Sequence, residues 1–263
     1  MNPDGSGQRR LTHSEAVDMA PALSPDGRMI VFVSTRSGGL ELFVMNVDGT
    51  GERRLTVPGA GANMGARQPQ WSPDGKQIVF CSTVRPDVYV INVDGTGLKN
   101  LTDRMGMDAS PDWSPDGRRI AFTSNRDGAP DIYMMNADGT NATRLTTGAL
   151  KGPLRMYLRP RWSPDGRRIA FAADRDTPDN SGEIYVMNAD GSSLVRLTFN
   201  DVQDAEPTWS PDGRMIAFQR TVLGHLQVFV MRADGSNQKR ITELSNVAFS
   251  GFPSWGPRLS PPH

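Results

Sequence analysis

Residues 113–146 read WSPDGRRIAFTSNRDGAPDIYMMNADGTNATRLT. The tetrapeptide Ser-Pro-Asp-Gly at 114–117 is a turn whose parts each have a task. Proline presets φ for the second position of a type I turn, and aspartate suits the third. Glycine supplies the left-handed residue that lets two strands continue as a hairpin. Asn136-Ala-Asp-Gly139 follows the same logic without proline. The runs beside these turns, Arg118–Ser124 and Ile132–Asn136, are rich in β-branched and aromatic residues and too short for helices. In the matching run at 28–34, apolar residues fill both alternating sets, Ile30/Phe32 and Val31/Val33. Such a strand belongs to a sheet covered on both faces.

The same text recurs outward in both directions. Ser-Pro-Asp-Gly starts at 24, 72, 114, 163 and 210, which gives spacings of 48, 42, 49 and 47 residues by subtraction. An Asp-Gly-Ser/Thr marker keeps step with it at 4–6, 48–50, 94–96, 138–140, 190–192 and 234–236. A worn sixth copy of the first marker is Trp255-Gly-Pro257. Each repeat therefore predicts four strands. The first ends in Trp (Leu23 in the first repeat), the second carries Phe32, Phe80, Phe122, Phe171 or Phe218, and the third carries Phe43, Tyr89, Tyr133, Tyr185 or Phe229. The fourth ends in Leu/Ile-Thr. Four-stranded antiparallel sheets repeating at this length are propeller blades, stacked around an axis so that each buries its faces on its neighbours.

The run W-S-P-D-G-x-x-I-A-F-x-S-x-R-D-G, then I-Y-x-M-N-x-D-G-T, then R-L-T, resembles the TolB-like β-propeller repeat over nearly the whole chain. The fold class expected is all-β, a propeller of five complete blades at about 21–56, 68–102, 110–146, 159–198 and 206–242. A partial sixth blade is expected from 1–12 and 252–256, within one domain spanning 1–263. The opening MNPDGSGQRRLT aligns with Met45–Thr56, so an outer strand stands at one end of the chain and an inner strand at the other. Unpaired edges there invite association, and a homo-oligomer formed through the incomplete blade is one expected outcome; a distorted closure is another. The resemblance also implies an extracytoplasmic, periplasmic or secreted setting and protein partners, although no signal peptide is visible in this chain.

Alternating strand direction sorts the connections onto two poles. Both tight turns fall on one. The loop between strands two and three and the loop between blades fall on the other, where lengths vary, as in Val57–Arg67 against Asp103–Ala109. Variable loops on a rigid scaffold are where recognition sits. The expected ligand-binding rim is Arg67, Gln68, Asp108, Arg159, Asp204 and Glu206, with protein, peptide or a small ligand as its object. Arg36, Arg126 and Arg175 recur four residues after the second-strand Phe. They read either as a basic ring or as repeated structural contacts with Asp18, Asp108 and Asp204. The loop at 174–183 occurs once and carries Asp174, Asp176, Asp179 and Glu183. It reads as a solvated acidic loop or as a metal site for Ca²⁺, which favours oxygen ligands. No other cofactor is expected. The tryptophans read as blade-to-blade packing, since Leu23 takes the same place.

The chain's 29 basic and 29 acidic side chains balance, which gives no electrostatic case for nucleic acid. No apolar run is long enough to insert in a membrane as a helix. The only histidines are His13, His225 and His263, and the one cysteine, Cys81, falls in a second strand with no evident base. No Gly-x-Ser-x-Gly elbow and no Cys/His zinc cluster is present. The reading is a non-catalytic scaffold. The alternatives are a lyase or hydrolase using carboxylates or a divalent cation, and a truncated or engineered repeat array without native function.

Overall fold

Each Ser-Pro-Asp-Gly turn closes on itself before anything else packs. Ser163 Oγ donates to Asp165 Oδ1 at 2.6 Å and accepts from the Arg168 N–H at 2.9 Å. The Gly166 N–H returns to the Ser163 carbonyl at 2.9 Å. The Ser163 hydroxyl, with the Arg167 N–H, holds the Asp165 carboxyl below its ordinary range. In the second turn Asp190 Oδ1 accepts from Ser192 N–H and Oγ at 2.9 and 2.6 Å.

In the computed structural model, residues 9–56, 65–147, 159–174 and 181–242 are described, with Pro253 and Trp255. Among them every regular element is a strand. Blade one comprises β1 (Asp18–Leu23), β2 (Met29–Ser34), β3 (Glu41–Asn46) and β4 (Arg53–Arg54). Blade two comprises β5 (Ala66–Trp71), β6 (Gln77–Ser82), β7 (Val88–Asn92) and β8 (Lys99–Asn100). Blade three comprises β9 (Asp108–Trp113), β10 (Arg119–Ser124), β11 (Asp131–Asn136) and β12 (Thr143–Arg144). Blade four comprises β13 (Arg161–Trp162), β14 (Arg168–Ala173), β15 (Glu183–Asn188) and β16 (Val195–Arg196). Blade five comprises β17 (Asp204–Trp209), β18 (Met215–Val222), β19 (His225–Arg232) and β20 (Lys239–Arg240). Each blade is a four-stranded antiparallel sheet in chain order, and the five form the ring of a β-propeller.

Two boundaries differ from the sequence expectation. In blades two, three and five the inner strand begins two residues earlier, at Ala66, Asp108 and Asp204, and carries a bulge such as that between Arg67 and Gln70. Fourth strands pair over only two residues. The Leu-Thr that follows stays tied to the third strand in another way: the Leu197 N–H bonds the Ile184 carbonyl at 2.8 Å, and Thr198 Oγ1 accepts the Ile184 N–H at 2.9 Å and donates to the buried Glu183 carboxylate.

The core lies between blades. Trp162, Phe171, Tyr185 and Met187 of blade four share one cluster with Ala121 and Ile132 of blade three. Contact between neighbours is repeated in detail at the outer turn. At Gly139 (φ +91°) a Cβ would stand 2.7 Å from the carbonyl oxygen of Leu101, the fourth-strand leucine of the preceding blade. In blade one the equivalent Gly49 faces the carbonyl of Leu11 at 3.1 Å. Leu11 also packs on the cluster of Ile30, Phe32, Phe43 and Met45. Arg9 donates to the Asp48 carbonyl at 2.8 Å, as Lys99 does to that of Asp138 at 2.9 Å.

Candidate binding site at the channel mouth

Five inner strands surround the axis, and each blade sets one residue at or beside that strand in the same unusual backbone. Ala20, Gln68, Ser110, Arg159 and Glu206 all have φ between 41° and 57°. Each precedes a proline. Proline disfavours the right-handed helical region for the residue before it, and a left-handed residue with a Cβ costs roughly 1–3 kcal/mol. The surrounding ladder overrides that cost five times. The residue after each proline stands two places beyond X and so shares its side of the strand, and Ala22, Gln70, Asp112, Arg161 and Thr208 join the wall.

The channel holds a cavity of about 180 Å³. Its charges are confined to blades three to five. Arg159 pairs with Glu206, and Arg161 Nη1 lies 3.4 Å from Asp112 Oδ1. Asp112 Oδ2 also accepts the Trp162 N–H at 2.8 Å. Burial nonetheless pushes the Asp112 carboxyl up to about 6, against the pull of Arg161. Burial raises Glu206 as well, in spite of Arg159. Blades one and two present Ala20, Ala22, Gln68 and Gln70. Gln68 Oε1 ties blades two and three together by accepting from Ser110 N and Oγ at 2.9 and 3.0 Å. Pro253 and Trp255 line this cavity together with residues of β1 and β17.

A second cavity of about 320 Å³ opens at the variable-loop pole. Met19, Val33, Pro86, Met107 and Ala109 supply its apolar wall, and Arg67, Asp108 and Arg159 its charges. Cys81 is buried in this wall, and burial pushes its thiol pKa up. Eight large apolar side chains are exposed among the described residues. Six of them, Val17, Val84, Met105, Met107, Phe199 and Leu223, stand in loops of this pole.

The residues expected at the rim separate into three groups. Gln68, Arg159 and Glu206 reach the axis, and Arg67 stands exposed on the mouth wall. Asp108 lines the mouth but pairs with Arg126 at 2.8 Å. Asp204 is buried under Arg220 and Asn200 and lines neither cavity. Arg36, Arg126 and Arg220 each lie over an aromatic pair and bind Asp18, Asp108 and Asp204, a contact repeated in three blades. Arg175, Asp176 and Asp179 lie outside the described residues. Asp174 is buried, and Glu183 is held by Arg196, Thr198 and Asn200. Among the described residues no group of three His, Cys, Asp or Glu side chains is placed to hold a metal. Asp112, Arg161 and Gln70 were not among the expected rim residues. The X-Pro-x-Trp text marks their shared position, and alternation from X, two residues before, was the signal that could have found them.

The family model for the TolB beta propeller domain matches residues 1–84, 63–154 and 154–258. An uncharacterised protein of Agrobacterium fabrum is 38% identical over 82 residues, 31% of this chain and 27% of that protein. The Tol-Pal system protein TolB of Bordetella pertussis is 47% identical over 45 residues, 17% of this chain and 10% of that protein. The aligned stretches thus span well under two thirds of these relatives. The solved structure of a putative TolB from Agrobacterium tumefaciens superposes with a TM-score of 0.75 at 26% identity, over 89% of this chain and 83% of that one.

Proposed function

The chain belongs to the TolB beta-propeller family, and from that premise we propose that it is a non-catalytic scaffold taking a protein or peptide segment at the channel mouth. One observation carries the reading. The cavity wall of Met19, Val33 and Met107 includes an exposed arginine, Met107 itself is exposed, and five further large apolar side chains are exposed in loops of the same pole. An apolar floor with a few fixed polar groups suits recognition of side chains, and exposed apolar patches of this kind mark interaction sites. The name of the Bordetella relative places that protein in a Tol-Pal system, which fits a protein partner in general. A photo-crosslinking residue at Met107, with another at Val47 on the opposite pole, tests the proposal in the native host. Adducts are expected from Met107 alone. Equal yields from both poles would refute it.

The reading extends to ring closure. We assign the slot between blades five and one to the two ends of the chain, with Leu11 as its outer leucine and Trp255 as its inner tryptophan. The support is the shared Gly–Leu carbonyl approach and the place of Trp255 in the channel wall. Light scattering is expected to give the mass of one chain; the mass of two would assign the slot to a second copy. A setting outside the cytoplasm is part of the same proposal, with family membership as its support, and fractionation of the host checks it. The binding reading requires no cation, so a chelator is expected to leave the Met107 adducts unchanged.

A further inference from the structure

Five copies of one architecture serve as controls for one another. In blades one, three and five, a guanidinium leaves the end of the second strand and is fixed by the aspartate that opens the inner strand. Blade two has Ala66 at that place. Arg85, in the loop after β6, makes no ion pair among the described residues. The outer clamp departs in the same blade. Asn100 stands where Arg54, Arg144 and Arg196 reach the acid that begins the third strand. Blade two is therefore the blade that lacks both repeated ion pairs, and it forms one side of the mouth through Arg67, Gln68, Thr83 and Pro86.

Arg67 is exposed, and no carboxylate among the described residues pairs with it. The other charges lining the cavity are matched, Arg159 by Glu206 and Asp108 by Arg126. The mouth thus carries one unbalanced cation beside Met19, Val33 and Met107, with the unpaired Arg85 in the loop that contributes Pro86. A guanidinium presents a planar fork that matches a carboxylate in two parallel hydrogen bonds. We propose that the blade-two side of the mouth is a carboxylate subsite, which takes a peptide carboxylate next to an apolar side chain, the first on Arg67 and the second against the methionines. The subsite rests on the mouth being the binding surface.

The carboxylate comes either from a chain terminus or from an acidic side chain, and the test separates the two. The full chain, ¹⁵N-labelled, is titrated with N-acetyl-leucine and its neutral counterpart N-acetyl-leucinamide. A second pair is N-acetyl-glutamyl-leucinamide and N-acetyl-glutaminyl-leucinamide. Saturable shifts are expected at the Arg67, Gln68 and Met107 amides, with at least one acid binding about tenfold tighter than its neutral partner. The acid that does so identifies the source. Arg67→Gln is expected to erase the difference and Arg67→Lys to keep part of it; Arg67 is exposed, so both variants are expected to melt as the parent does. Equal affinity within both pairs overturns the carboxylate subsite while leaving the mouth as a binding surface. Shifts confined to the Ser-Pro-Asp-Gly pole, or no saturable shift with any probe, overturn the subsite too. The crosslinking at Met107 judges the mouth independently.

Discussion

Trp162 shows how much a single side chain carries. It is 6% exposed, sits in the cluster shared by blades three and four, and has Arg119 over its ring at 5.0 Å. Truncation to alanine empties an inter-blade site, and Trp162→Ala is expected to lose roughly 3–5 kcal/mol by urea denaturation. Asp112, on the channel wall, makes a statement about pH. Its carboxyl titrates near 6 in the fold and near 3.8 otherwise, so between those values the folded chain holds the extra proton. Stability from this group is full below the lower value and is lost as pH rises through the upper one. The loss amounts to roughly 2–3 kcal/mol. Asp112→Asn is expected to flatten that segment of the stability profile, measured as urea midpoints between about pH 4 and pH 7. An unchanged slope would mean that Asp112 is ionised throughout the range.

Within a blade, the third and fourth strands are tied by one device. In blades one, three and four an acid opens the third strand and an arginine two residues before the fourth-strand threonine neutralises it, while the threonine donates to the same acid, as with Glu183, Thr198 and Arg196; in blade five Gln227 takes the acid's place under Thr242. Since the fourth strand pairs over only two residues, this clamp adds to the one further backbone bond, from the Leu197 N–H to the Ile184 carbonyl. Removing the acid leaves a partly buried cation and a buried hydroxyl without their partner. Glu183→Ala is expected to cost roughly 3 kcal/mol, read as a fall in thermal midpoint. Blade two runs the experiment in reverse, for Asp87 meets Asn100 instead of arginine, and burial raises its carboxyl above the ordinary range. Asn100→Arg is expected to bring that carboxyl back down, visible as a lower titration midpoint by NMR.

The whole ring depends on each blade finding a neighbour on both sides. Blade one finds Leu11 over Ile30, Phe32, Phe43 and Met45. Leu11→Ala is expected to cost about 1–2 kcal/mol, less than a fully buried leucine because Leu11 is only partly covered. Limited proteolysis should then cut first in blade one. At the same scale, the antiparallel order puts every tight turn on one pole and the unequal loops on the other. The larger cavity, lined by Met19, Val33 and Met107, opens at the pole where lengths are free to vary.

Sequence alone determined the blades, because the turns are local. Pro25, Asp26 and Gly27 settle their own dihedrals, and the runs that follow are apolar on both faces wherever they lie in space. It also marked the pole of the mouth and four residues that line the channel or its mouth, Arg67, Gln68, Arg159 and Glu206. The pairing of charges was decided only by the tertiary structure. Asp108 and Asp204 look alike in the text as rim acids, yet each is held by an arginine 18 or 16 residues away across its sheet. Asp112 and Arg161 come from different blades, and only the closed ring shows that they meet as a charge pair on the channel wall. Register and charge partners depend on distances between strands that only the closed ring sets, whereas a turn depends on its own four residues.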